Sequence, residues 1–62
     1  MTSDQERWAE AIAIERQHGM MAPMWIAERI GALAMMGDVG GVVRFKEIAT
    51  KLELLMSGEG RA

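Results

Sequence analysis

One histidine and a cluster of methionines are the side chains in this sequence with the most distinctive chemistry. His18, Met20, Met21 and Met24 fall within a single short stretch. Thioethers are soft ligands that select Cu(I), and an imidazole beside them completes a plausible donor set, so the four could converge across a loop on that ion. The alternating methionine tract of a copper carrier is missing, however. Methionine is also the flexible filler of irregular cores and of adaptable binding surfaces. Of the seven methionines, Met20, Met21, Met24, Met35 and Met36 bracket one apolar segment, which favours packing or partner contact over a metal. No metal and no cofactor are expected.

Acid–base or nucleophilic catalysis is poorly supplied. His18 would need a carboxylate or nucleophile within hydrogen-bond reach and a pocket that excludes water. The chain has no cysteine, and its hydroxyls are Thr2, Ser3, Thr50 and Ser57, three of them near the ends. An enzyme is therefore not expected. His18 has a simpler use at the C-terminal end of a helix, where its protonated form meets the helix dipole favourably.

Two further motifs have a bland and a sharp interpretation. Gly37 to Gly41 could cradle a phosphate on backbone amides, but no strand-type segment precedes it and Asp38 would place a negative charge in the anion's position. A helix cap explains Asp38 better. The same turn between two helical segments invites a helix-turn-helix and a DNA-binding regulator. Val39, Gly40, Gly41, Val42 and Val43 fill the end that should carry polar and basic groups for bases and phosphates. Nucleic acid is thus the weaker partner, and a short turn serves an antiparallel helical hairpin equally well.

Three helices must position these residues, at about 4–18, 23–36 and 39–56. Ser3 and Glu6 can form a capping box for the first, and Gly19 ends it. Trp8, Ile12 and the alanines 9, 11 and 13 form its apolar arc, with Glu6, Arg7, Glu10 and Gln17 opposite and Ile14 left exposed among polar neighbours. Pro23 suits the first turn of the second helix, which closes at Gly37. Ile26, Ile30 and Leu33 make its main stripe, yet Met24, Trp25, Met35 and Met36 extend apolar surface around most of its circumference. Gly31 and Ala27 would let another helix approach closely. Glu28 and Arg29 are its charges, Arg29 being expected to meet Glu15 or lie over Trp25. In the third helix Val42, Phe45, Ile48, Ala49, Leu52, Leu55 and Met56 share a face. Arg44, Glu47, Thr50 and Lys51 lie opposite, with Glu47 and Lys51 at favourable i, i+4 spacing and Leu54 as an apolar outlier. Ser57 to Ala62 read as a disordered tail.

The run His18-Gly19, Ala22-Pro23, Ile26-Ala27-Glu28-Arg29-Ile30-Gly31-Ala32-Leu33-Ala34, Gly37-Asp38, Gly41-Val42 and Ile48-Ala49 resembles a group of small uncharacterised alphaproteobacterial proteins. The likeness spans roughly Trp8 to Leu55. It implies a compact helical protein of a bacterial cytoplasm, and it brings no functional residue with it.

Size then sets the question of function. At 62 residues, half of them hydrophobic and 26% charged, the chain can fold as one small domain. A single core below roughly 70–80 residues barely offsets its ordering entropy, so such domains lean on disulfides, a metal or an oligomeric partner. With no cysteine and one histidine, self-association or a partner remains. A net charge of −2 provides no large positive field for phosphate backbones or anionic lipid. Met20 to Met36 is interrupted by Glu28 and Arg29, so no membrane span is expected. The polar start, Met1 to Gln5, lacks the basic and apolar regions of a secretory signal, and a cytoplasmic location follows as the expectation. The expected fold is all-α, a compact three-helix bundle with the second helix most buried. The expected function is a small protein-interaction module, a homodimer or a subunit docking on a larger protein. Its surface would be Trp25, Met24, Met35, Met36, Ile14 and Leu54, with Trp25 either an intermolecular anchor or a lid over the first helix.

Overall fold

The computed structural model describes residues 2–58, and all regular structure among them is helical. Helix α1 covers Ser3–His18, a short 3-10 turn covers Gly19–Met21, α2 covers Ala22–Met35 and α3 covers Val39–Ser57. No non-helical residue separates Ser3 from Met35. The expected three separate helices are therefore better described as one kinked helical run of 33 residues and a second helix of 19. The fold is all-α and compact, and the bundle expectation is corrected in its count of independent helices.

The kink has a local cause. Gly19 adopts φ 58° and ψ −131°, a conformation that side chains with a Cβ avoid, while its amide still donates to the Glu15 carbonyl. Pro23 has no N–H to return to the Gly19 carbonyl in an α-helical pattern. The Ala22 amide takes that carbonyl instead, which tightens the turn to 3-10 geometry. The helical path bends and resumes without a loop. What separates the first two segments is thus one glycine and one proline, four residues apart.

Caps fix the other ends. Thr2, not Ser3, caps α1: its hydroxyl accepts from the Gln5 amide at 3.1 Å, and the Gln5 side chain accepts from the Thr2 amide at 2.9 Å. Both Thr2/Gln5 and Ser3/Glu6 satisfy the same spacing rule, and the earlier pair adds a residue to the helix. At the end of α2, Gly37 takes φ 75° while its amide donates to Ala34 and that of Asp38 to Leu33, a Schellman closure. The Asp38 carboxylate then accepts from the Gly41 amide at 2.9 Å and starts α3. The expected C-terminal tail begins later than Ser57, since α3 runs through Ser57 and is closed by Gly58 at φ 84°. Residues 59–62 of that expected tail lie outside the described residues.

Helix α3 packs on both α1 and α2, which contact each other far less. The central element is thus α3, and the expectation that α2 is the most buried is corrected: nine of its 14 residues are exposed, against ten of the 19 in α3. Ala11, Ala22, Ile26, Ile48, Leu52 and Leu55 form the core cluster, with Trp8, Ile14, Trp25, Ile30, Phe45 and Ala49 packed around it. Each of Ile26, Ile48 and Leu52 contributes roughly 1.5–3 kcal/mol by leaving water. The molecule is thin in one direction, 37 × 27 × 16 Å, so little depth is available for a larger core.

Helix α1 is rotated from its expected setting. Ala11 is fully buried and Ile14 packs on the core, whereas Ile12 is exposed. The reason is that the face α1 turns toward α3 is partly charged. Arg7 reaches Glu10 at 2.6 Å and Glu47 at 3.1 Å, Arg44 reaches Glu10 at 2.8 Å, and Lys51 reaches Asp4 at 2.6 Å. Lys51 also lies 4.9 Å from the centre of the Trp8 ring. Long polar side chains thus share the interface with Trp8, Ala11 and Ile14, their stems packing and their heads pairing. Glu47 and Lys51, expected to face each other along α3, each reach across to α1.

Candidate interaction surface

Helix α2 presents two faces. Ala22, Ile26 and Leu33 are buried against the rest of the chain, with Ile30 half-buried beside them. On the opposite side Met24, Ala27, Glu28, Gly31 and Met35 follow the i, i+3/i+4, i+7, i+11 spacing of a single helix face, and all are exposed. Met24 and Met35 lie three turns apart, about 16 Å along the axis. Small Ala27 and Gly31 lie between them and Glu28 supplies one charge. A Cβ built on Gly31 would meet nothing within 4 Å, so the close helix approach expected at Ala27 and Gly31 is not made within the chain.

Exposed apolar side chains also flank both ends of α2. At its start, Met20 is 90% exposed in the 3-10 turn and Met21 follows. At its end, Met35 is 91% exposed, and Met36 in the turn and Val39 and Val43 at the start of α3 are exposed as well. Every described methionine lies outside the core, which is built from isoleucine, leucine and alanine.

The expected partner-binding residues divide accordingly. Met24, Met35 and Met36 are exposed. Trp25, Ile14 and Leu54 are half-buried. Trp25 stacks on His18 with ring centroids 4.7 Å apart and planes at 21°, and it meets Phe45 at 6.1 Å and 56°. It packs against the core, so the lid description fits it better than the free anchor. Ile14 was expected to project among polar residues and instead packs on the core, because the rotation of α1 turns it inward. Met20, Val39 and Val43 were missed as surface residues. The sequence did carry a signal for two of them, since Met20 follows the helix-ending Gly19 and Val39 follows the Asp38 cap; Val43, inside α3, had none.

Two grooves flank the core. One of about 530 Å³ lies between the start of α2 and the end of α3, lined by Pro23, Ile26, Ala49, Leu52 and Met56 together with Glu53 and Ser57. The other, about 310 Å³, runs along the charged seam and is lined by Ser3, Asp4, Arg7, Glu47, Thr50 and Lys51. Its carboxylates and cations are already paired with one another. Desolvation, the largest influence on Arg7, works to lower its pKa, but hydrogen bonds and charge from Glu47 and Glu10 outweigh it and hold the guanidinium above its usual range. Arg44, one of the cations a DNA-reading helix would offer, is engaged by Glu10. The Gly41 amide, part of the possible anion cradle, is taken by Asp38. Among the described residues no group of three or more histidine or acidic side chains converges as for a metal ion, and no helix is long and apolar enough to cross a membrane.

The family model DUF6961, described as a family of unknown function, matches residues 3–59. The chain belongs to that family. The match takes in all three helical segments, so the kink, the Gly37-Asp38 turn and the outward face of α2 all lie within the family's own span. No curated protein and no solved structure matches the chain.

Proposed function

We propose that this DUF6961 chain is a small protein-interaction module of the bacterial cytoplasm. It docks on a second copy of itself or on a larger protein through the outward face of α2 and the α2–α3 turn. Met24, Met35 and Met36 form the docking surface, extended by Met20, Val39 and Val43. Trp25, Ile14 and Leu54 contribute only their uncovered edges.

The observation that carries this proposal is the placement of the methionines. Methionine ranks with the residues most often buried, yet Met20 and Met35 are 90% and 91% exposed in a chain that has little core to spare. Contiguous exposed apolar surface marks interaction sites, and methionine is enriched in interface cores because its flexible thioether adapts to a partner's shape. A small domain without disulfides also gains the stability it needs from such docking.

Light scattering at micromolar concentration, followed by affinity capture from a bacterial extract, tests the proposal. Self-association or a stoichiometric captured protein supports it. A strict monomer that captures nothing contradicts it, and capture that depends on DNA and weakens steeply with salt would point to nucleic-acid binding instead.

A further inference from the structure

We propose that the thioethers of Met20, in the 3-10 turn, and Met35, at the end of α2, are reversible oxidation sites, at which a peroxide converts two exposed apolar side chains to polar ones while the fold stays intact. Met20, in the turn that precedes α2, and Met35, the last residue of α2, are the most exposed large apolar side chains among the described residues, at 90% and 91%. Met36, Met24 and Met21 follow at 72%, 57% and 54%, and Met56 is the least exposed at 42%. Susceptibility of a thioether follows its access to the oxidant, so the fold itself imposes an order on these sites.

The chemistry is self-contained once a peroxide is supplied. A sulfur lone pair attacks one oxygen of hydrogen peroxide and the O–O bond breaks. The departing hydroxide takes the proton from the new S–OH group, giving a sulfoxide and water. Sulfur loses two electrons and the peroxide gains them. A thiol-dependent sulfoxide reductase reverses the step, two thiols becoming a disulfide as the oxygen leaves in water.

What makes this surface suited to such a modification is the composition of the core. Sulfoxide formation turns a flexible apolar side chain into a polar, chiral one and disrupts any core that contains it. Here the buried cluster is Ala11, Ala22, Ile26, Ile48, Leu52 and Leu55, with no methionine among them. Met20 and Met35 can change polarity at no packing cost to the helices. That the change would also switch docking rests on the function proposed above.

The test exposes the full chain to dilute hydrogen peroxide and follows the sulfoxide at each methionine by fragment-ion mass spectrometry, with far-ultraviolet circular dichroism in parallel. In the native chain Met20 and Met35 are expected to oxidise roughly twofold or more faster than Met56. In urea that order should disappear. Helicity should survive conversion of both residues, and a methionine sulfoxide reductase with dithiothreitol should restore the starting mass. Met56 keeping pace with Met35 in the native chain, or helicity collapsing with the first sulfoxides, overturns the proposal. In the same peroxide a Met20→Leu, Met35→Leu chain should gain no oxygen at positions 20 and 35 and keep its helicity, while its remaining methionines oxidise at their wild-type rates. A wild-type chain that never associates counts against docking alone, and the order of oxidation then decides this inference by itself.

Discussion

The imidazole of His18 lies stacked on the indole of Trp25 across the kink between α1 and α2, 4.7 Å between ring centroids and 21° between planes. Phe45 of α3 meets the same indole at 6.1 Å. One tryptophan therefore joins the end of α1, the start of α2 and the first half of α3. It holds the bend that Gly19 permits.

Substituting Trp25→Ala should cost folding stability first. A fully buried tryptophan truncation costs about 3–5 kcal/mol, and a half-buried one should fall near 2–3 kcal/mol. His18→Ala should cost less, about 0.5–1.5 kcal/mol, because it removes mainly the ring contact. Urea unfolding followed by circular dichroism measures both. A Trp25→Ala chain as stable as the wild type would mean that the indole is an uncommitted surface group.

Two glycines should respond with opposite signs. Gly19 holds φ 58° with open space around it, so Gly19→Ala suffers only backbone strain, about 1–3 kcal/mol of destabilisation. Gly31 sits mid-helix with ordinary dihedrals and equally open space, so Gly31→Ala should stabilise the chain by about 0.5–1 kcal/mol. Thermal melts of the two variants check the pair. If the outward face of α2 docks closely on a partner at Gly31, the same alanine should weaken association while raising the melting temperature.

Much of α2 and α3 was legible because their buried faces are their apolar ones. Ile26, Ile30 and Leu33 on one helix and Ile48, Leu52 and Leu55 on the other recur at the helical period, and the Gly37-Asp38 pair marks its turn through a conformational need and a cap. Helix α1 was misread because its interface is half polar. Periodicity favours Ile12 over Ile14, and it cannot register that Arg7 and Glu10 would face inward to meet Glu47 and Arg44. The kink was equally hidden. Gly19 and Pro23 mark an interruption, but whether the chain turns back or merely bends depends on where the Gly19 carbonyl finds its donor.

The charged seam should make α1 the salt-sensitive segment. Arg7→Gln removes the group that links Glu10 to Glu47, and it should lower the melting temperature at low ionic strength. The difference from wild type should shrink by 1 M salt, where screening acts over about 3 Å. Because the Arg7 pKa is raised on folding, its contribution is present throughout the range below the ordinary arginine value and is lost only in strong base. A wild-type and variant melting difference that does not change with salt would show that Arg7 acts by packing its stem.

If the outward methionines of α2 and its turn make the proposed docking contact, removing their thioethers should abolish it in a chain that still folds. Wild type and a Met24→Ser, Met35→Ser, Met36→Ser chain would be measured side by side for mass by light scattering and for captured protein, with circular dichroism melts of both. All three residues are exposed, so the variant should keep its helices, and its melting temperature should lie within a few degrees of the wild type's at dilutions where the wild type is dissociated. The wild type should be found in a heavier species or with a stoichiometric partner, and the variant should lose it, with affinity lower by roughly tenfold or more. Equal mass and equal capture for the two folded chains would contradict the proposed contact.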